Sequence, residues 1–269
     1  MFEALFLGIV QGLTEFLPIS SSAHIRIVGE FLPNASDPGA AFTAITQIGT
    51  ELAVLIYFRR DIFSIARAWL KRDGSPEARL GNLIIIGTIP IVVLGYLGQD
   101  YITHHFRSLW LIAATLIVFG LILGFADRIG RNEKVLAQLS ARDGLAYGLA
   151  QSLALIPGVS RSGATIALGR LLGYKREAAL RYSFLLALPA VFGSGLYELK
   201  SALEDSSVSA YTMPETLVAT VTAFIIGYTV IAWLMKYIST KSFTPFVIYR
   251  IVLGSALLVA LATGLISAQ

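Results

Sequence analysis

The chain has 269 residues, 55% of them hydrophobic and 14% charged, with a net charge of +4 and no cysteine. The charges are clustered, and residues 80–99, 108–126, 182–197, 216–235 and 251–269 contain no Asp, Glu, Lys or Arg. Each run is close to the roughly 17–25 apolar residues that cross a bilayer as a helix. This excludes soluble, disordered and fibrous classes, and the missing cysteine excludes a disulfide framework and a thiolate metal site.

In chain order, Met1-Phe2-Glu3 has no basic n-region and no small-residue cleavage site follows, so the N-terminus reads as mature protein. The first apolar segment breaks at Leu17-Pro18-Ile19-Ser20-Ser21-Ser22. A span over 41–58 follows, carrying Gln47 and Glu51 four residues apart on one helix face. These two either line a cavity or pair internally. Arg59, Arg60, Arg67, Lys71, Arg72 and Arg79 come next, then an apolar span and a short connection near 99–107 with Arg107 and the interfacial His104 and His105. After the 108–126 span, a basic connection at 127–142 carries Arg128, Arg131, Lys134 and Arg142. Lys175, Arg176 and Arg181 precede a span near 178–198. The 199–214 connection holds one basic residue, Lys200, whereas Lys236 and Lys241 follow the 215–235 span.

Lys and Arg concentrate in cytoplasmic loops. Their alternation predicts six spans, both termini outside, and the segments 59–79 and 127–142 in the cytoplasm. The basic groups flanking residues 143–174 then lie on one side, and that segment is too short for two full spans at about 1.5 Å per residue. With Pro157-Gly158 at its middle, it reads as a re-entrant hairpin. At an offset of 140, Gly8, Gln11, Leu13, Ser20 and Ser22 match Gly148, Gln151, Leu153, Ser160 and Ser162. The fold class expected is therefore an all-α integral membrane protein, with six transmembrane helices and two re-entrant hairpins in an inverted-topology repeat. It forms one membrane domain, with halves 1–126 and 143–269 joined by the connection 127–142.

Irregular backbone at membrane depth survives only where it is buried in protein or lines a wet cavity. The first break, Gln11 to His24, carries Glu15 and three adjacent serines; the second reads Pro157-Gly158-Val159-Ser160-Arg161-Ser162-Gly163-Ala164-Thr165. A charge at the bilayer centre costs at least ~2.5–3.5 kcal/mol, so Glu15 and Arg161 are expected to face each other or a polar ligand. Hydroxyls, backbone N–H groups, a positive helix end and a guanidinium fork suit a phosphate, and Gly163 leaves room for an anion. Glu15, the serines and His24 could activate a nucleophile and move a proton. Structural readings stand beside these. Ser20, Ser22, Ser160 and Ser162 are also plausible helix caps, Glu15 and Arg161 a lock between hairpins, and His24 a structural group.

Gln11-x-x-x-Glu15 with Pro18 to His24, and the nonapeptide Pro157 to Thr165, resemble the two signatures of bacterial undecaprenyl-diphosphate phosphatases, the bacitracin-resistance family. The similarity runs through the whole chain, including Tyr249-Arg250 entering the last span. It implies removal of one phosphate from undecaprenyl diphosphate, recycling the carrier lipid of cell-wall synthesis, at a site opening to the outer face of the bacterial inner membrane. Carried onto this chain, it points to Glu15, Ser21, His24, Ser160, Arg161, Ser162 and Thr165, with a divalent cation, Mg²⁺ or Ca²⁺, held in part by Glu15. The expected roles are catalytic for Glu15, Ser21, His24 and Arg161, and substrate-binding for Gln11, Ser20, Ser22, Ser160, Ser162, Gly163 and Thr165. Ser21 is the candidate nucleophile with His24 as proton partner, and a water activated by Glu15 or His24 is the other route. The chain departs from the family in two places: many members carry Glu where it has Gln11, and Ser22-Ala23-His24 replaces Thr-Gly-His. The partners expected are the polyprenyl diphosphate and membrane lipids, with a homodimer left open and no nucleic acid. The rival reading is a transporter or flippase that binds a phosphorylated lipid without cleaving it. The Lys-x6-Arg-Pro motif of the other membrane lipid phosphatases is absent.

Overall fold

A computed structural model describes residues 1–32, 39–105, 108–204 and 211–266, without the side chains of 40 and 99–105. The side chains of His104 and His105, and the whole of Arg107, therefore lie outside the described residues. Among those described there is no sheet, and helices account for almost the whole architecture.

The first helices are α1 (Phe2–Thr14) and α2 (Ser21–Gly29), followed by α3 (Ala40–Tyr57), α4 (Arg59–Lys71), α5 (Pro76–His105) and α6 (Leu109–Ile129). The second series is α7 (Ala141–Ser152), α8 (Arg161–Leu171), α9 (Arg176–Glu204), α10 (Met213–Ile238) and α11 (Thr244–Ala262). Five helices (α5, α6, α9, α10 and α11) are long and apolar enough to span a membrane, and the α3–α4 pair, bent by 81°, makes six if it counts as one broken span. Their outer surfaces carry exposed Ile85, Val118, Leu121, Ile225 and Val252, a covering that lipid rather than water satisfies. Two sequence expectations are corrected here. Part of 59–79 is helical, because Ile65 and Ala68 give it an apolar stripe to bury. The backbone of α5 also runs on to His105, into the connection placed near 99–107, with no Gly-Pro or capping signal to end it sooner.

The helices flanking each break are short. At 1.5 Å per residue, α1, α2, α7 and α8 measure about 14–20 Å against a hydrocarbon core of ~30 Å. Each pair packs on itself, α1 on α2 and α7 on α8. Ser140 begins α7 with a capping box, its hydroxyl accepting from Asp143 N while Asp143 accepts from Ser140 N. At its far end the second hairpin is held by Arg170, fully buried and donating to Asp127, Asn132 and the carbonyls of Gly130 and Tyr174.

The two helix series pack alike in part: α8 lies against α6 and α9, whereas α2 makes no comparable contact with α11 or α3 among the described residues. Helix α1 packs on α10 and α7 on α5, while α3 meets α9 and α6 meets α11. Close approach is made by the glycines matched at the offset of 140. A Cβ on Gly8 would sit 2.5 Å from Ala219 O, and one on Gly148 2.4 Å from Gly87 O. The largest apolar cluster joins Phe16 and Ile19 of the first break to Phe184 and Leu188 of α9 and to Ile231 and Leu234 of α10. It seats the first hairpin turn against the spans.

Candidate active site

Both breaks end in the same local structure. Ser20 and Ser160 have φ of 74° and 70°, values that cost a non-glycine residue about 1–2 kcal/mol. Each hydroxyl then caps the helix that follows: Ser20 Oγ accepts from Ala23 N at 3.4 Å and Ser160 Oγ from Gly163 N at 3.1 Å. Ser22 and Ser162 lie 3.2 Å from these cap hydroxyls. The capping reading thus holds for Ser20 and Ser160 and not for Ser22 and Ser162, and the N-termini of α2 and α8, both positive ends, lie at one cavity.

Arg161 opens α8 and crosses to the first hairpin, where its Nη2 donates to Glu15 Oε1 at 2.9 Å and to Glu51 Oε1 at 2.7 Å. Its Nη1 has no protein partner although it is buried. Glu15 Oε2 accepts from Gln11 Nε2 at 2.6 Å and from Ser21 Oγ at 2.5 Å. Glu51 is fully buried, with Oε2 unpartnered, and Gln11 Oε1 is also unpartnered. Of the two readings of the Gln47 and Glu51 face, Gln47 lines the cavity whereas Glu51 is drawn into the ion pair.

The cavity measures about 620 Å³ and has two regions. Its polar floor is Glu15, Ser20, Ser21, Ser22, Gln47, Ser160 and Arg161. Its walls are apolar, with Ile91, Val92 and Tyr96 from α5 and Pro189, Val191 and Tyr197 from α9. Glu198, half-buried at the same cavity, is a residue that the motifs do not reveal.

Five expected residues, Gln11, His24, Ser162, Gly163 and Thr165, do not line the cavity. His24 is not hydrogen-bonded to Ser21; its Nδ1 meets Ser20 O at 2.7 Å and its Nε2 meets Tyr249 OH at 2.7 Å. Thr165 is turned away from the cavity, donating to Arg161 O at 2.8 Å and sharing a hydrogen bond with Ser183 at 2.6 Å. The space left by Gly163 is filled by the Arg250 guanidinium, 2.9 Å from where a Cβ would lie, so it does not admit an anion. Ser162 donates to Leu17 O at 3.3 Å, tying one turn to the other.

Arg250 is the main residue that motif reading undervalued. Fully buried in α11, it has no carboxylate partner and binds only carbonyls. Nη1 donates to Pro18 O at 3.1 Å, Nη2 to Gly158 O at 2.9 Å and Val159 O at 3.0 Å, and Nε to Leu116 O at 3.2 Å. It therefore satisfies the exposed backbone of both breaks at once. The signal was present in the sequence as a charge inside an apolar span, which marks a buried partner or a site.

Paired helix N-termini and a guanidinium, above a serine held by a carboxylate, can bind a phosphate and take a proton from a hydroxyl. The apolar walls suit a hydrocarbon chain attached to that phosphate. The family described as Bacitracin resistance protein BacA matches residues 4–256. A protein of Micrococcus luteus named undecaprenyl-diphosphatase is 63% identical over 273 residues, covering 99% of each chain. One of Paenarthrobacter aurescens with the same name is 59% identical, again covering 99% of each. Undecaprenyl-diphosphatase 2 of Agrobacterium fabrum is 60% identical, covering 99% of this chain and 97% of its own. With that match across nearly its whole length, and with both signatures meeting at one cavity, the chain belongs to the BacA bacitracin-resistance family.

Proposed function

We propose that this protein is a membrane phosphatase that hydrolyses undecaprenyl diphosphate to undecaprenyl phosphate and inorganic phosphate. The observation that carries the reading is the Ser21–Glu15–Arg161 constellation on the floor of a cavity with apolar walls. The names of the full-length relatives support hydrolysis over transport without cleavage.

In the reaction, the α2 and α8 N-termini and Arg161 hold the diphosphate and offset the charge that develops in phosphoryl transfer. Glu15 accepts the Ser21 proton as Ser21 Oγ bonds to the terminal phosphorus. The bond to the bridging oxygen breaks and the lipid monophosphate leaves. Water then hydrolyses the phosphoserine, releasing phosphate and restoring Ser21. Glu15 takes the base role because it is the group hydrogen-bonded to Ser21, while His24 orients the turn through Ser20 and Tyr249. Ser20, Ser22 and Ser160 shape the floor, and Gln11 holds Glu15 from behind it. Arg161 combines the lock and the clamp, with Nη2 on the carboxylates while its side chain lines the cavity floor.

A divalent cation, Mg²⁺ or Ca²⁺, fits the donor set here. No cluster of three His, Cys, Asp or Glu exists among the described residues, yet Glu15, the free Oε2 of Glu51 and the free Oε1 of Gln11 offer buried oxygens. Hard cations of this kind take one or two carboxylates and complete their shell with phosphate oxygens and water. When bound, the ion would neutralise charge on the diphosphate. The proposal also includes the two-repeat division of the chain, residence in the bacterial inner membrane, and a cavity opening to the outer side.

The test is release of inorganic phosphate from farnesyl diphosphate by the purified protein, with and without a chelator. Phosphate release that the chelator suppresses and added Mg²⁺ or Ca²⁺ restores is expected. A folded protein that binds the diphosphate and releases no phosphate with either cation would leave the transport reading in its place.

A further inference from the structure

Helix α4 is not part of the cavity, and the second repeat has no counterpart to it among the described residues. It leaves α3 at Phe58 with a bend of 81°, so with α3 taken as the span, α4 runs close to the plane of the bilayer. Trp69 Nε1 donates to Asn82 Oδ1 of α5 at 2.9 Å and pins it there.

At about 100° per residue, the side chains of α4 fall into three arcs. Ile65 and Ala68 are buried against the bundle. On the opposite side, Phe63 and Leu70 are 68% and 73% exposed, an apolar surface that only an apolar medium covers favourably. Between these two arcs Arg60, Arg67 and Lys71 cluster within about 40° of one another, all exposed. None of the three forms an ion pair among the described residues. Asp61, the acidic residue of this helix, is turned from that arc and paired with Arg181 at 2.6 Å. Asp73, just beyond the helix, accepts from Ser75 N at 2.9 Å. An apolar strip directed laterally with a purely basic strip beside it is the pattern of a helix seated at the headgroup level.

We propose that Arg60, Arg67 and Lys71 form a binding site for the headgroups of anionic phospholipids, with Phe63 and Leu70 inserted among the acyl chains of the same leaflet. The charge complementarity goes beyond what loop orientation needs, since three cations converge on one face of one helix instead of being spread along a loop. Each Lys or Arg near an anionic surface contributes about fivefold to partitioning. The three together therefore favour anionic over zwitterionic lipid by roughly a hundredfold.

The site can be tested on the purified full chain. Wild type is expected to retain phosphatidylglycerol through detergent exchange, as read by native mass spectrometry, and to melt at a higher temperature when that lipid is added. The triple variant Arg60→Gln, Arg67→Gln, Lys71→Gln should lose both effects, whereas Arg128→Gln, in the other basic connection, should keep them. Equal retention by wild type and the triple variant would show that the charges serve topology alone, and the site would be discarded. Should the triple variant fail to fold, Phe63→Trp in the wild-type background decides the matter. Its added fluorescence should be quenched more by brominated phosphatidylglycerol than by brominated phosphatidylcholine, and equal quenching by the two overturns the proposal.

Discussion

Arg161, partly buried at the second break, and Arg250, fully buried in α11, both bind the hairpin turns, yet their partners differ and so do the expected mutants. Arg161 is paired with two carboxylates and keeps one nitrogen free. Arg161→Lys preserves the charge and loses the planar fork. Its kcat/KM should fall by ~2–4 kcal/mol of transition-state stabilisation, comparable with a lost oxyanion donor, with a smaller change in melting temperature. Steady-state kinetics beside thermal unfolding in detergent separate the two. Arg250 touches backbone only. Arg250→Met leaves the carbonyls of Pro18, Gly158 and Val159 without their donors, at about 1–3 kcal/mol for each buried group. A pronounced drop in melting temperature should therefore accompany its loss of activity. For Ser21, hydrogen-bonded to Glu15 and not to His24, Ser21→Ala should lose nearly all turnover while still binding lipid diphosphate. His24→Ala should retain more activity than Glu15→Gln. If Ser21→Ala stays within a few-fold of wild type, attack by water replaces the serine route.

Among the elements, the four short helices depend most on their packing partners, because none crosses the bilayer alone. The contacts of α1 with α10 and of α7 with α5 close over Gly8 and Gly148, where a side chain would strike backbone carbonyls. Gly8→Val and Gly148→Val should each destabilise by about 1–3 kcal/mol through overpacking, and by similar amounts if the two hairpins are equivalent. Gly193→Ala, with nothing within 4 Å of its would-be Cβ, is the control and should match or exceed wild-type stability. Calorimetry or a thermal-shift series checks all three. An unaffected Gly148→Val would show that α7 and α5 can separate without cost, contrary to their close approach here.

For the whole molecule, basic residues outside the spans predict which side each connection faces. Single cysteines at Lys134 and Thr212, added to this cysteine-free chain, should label differently with an impermeant reagent applied from outside. Thr212→Cys should react and Lys134→Cys should not; the reverse pattern would invert the topology. Charge-free runs such as 108–126 and 216–235 determined from sequence alone that the chain crosses a membrane, since their hydropathy exceeds what loops or soluble helices carry. Residues with no favourable place in lipid, Glu15, Arg161 and the serines, marked the two breaks for the same reason. Their meeting partners were not legible. Glu51 lies in the middle of an ordinary-looking span, and only the packing of α3 against α9 brings it to Arg161. Arg250 stands more than ninety residues from any carbonyl it holds in the second break, so no spacing in the sequence reveals it. His24 shares a short helix with Ser21, yet it was drawn to Tyr249 by contacts from α11. Hydropathy and charge act locally and are read locally. Which buried polar groups satisfy one another depends on distances that exist only once the two hairpins and the spans have packed.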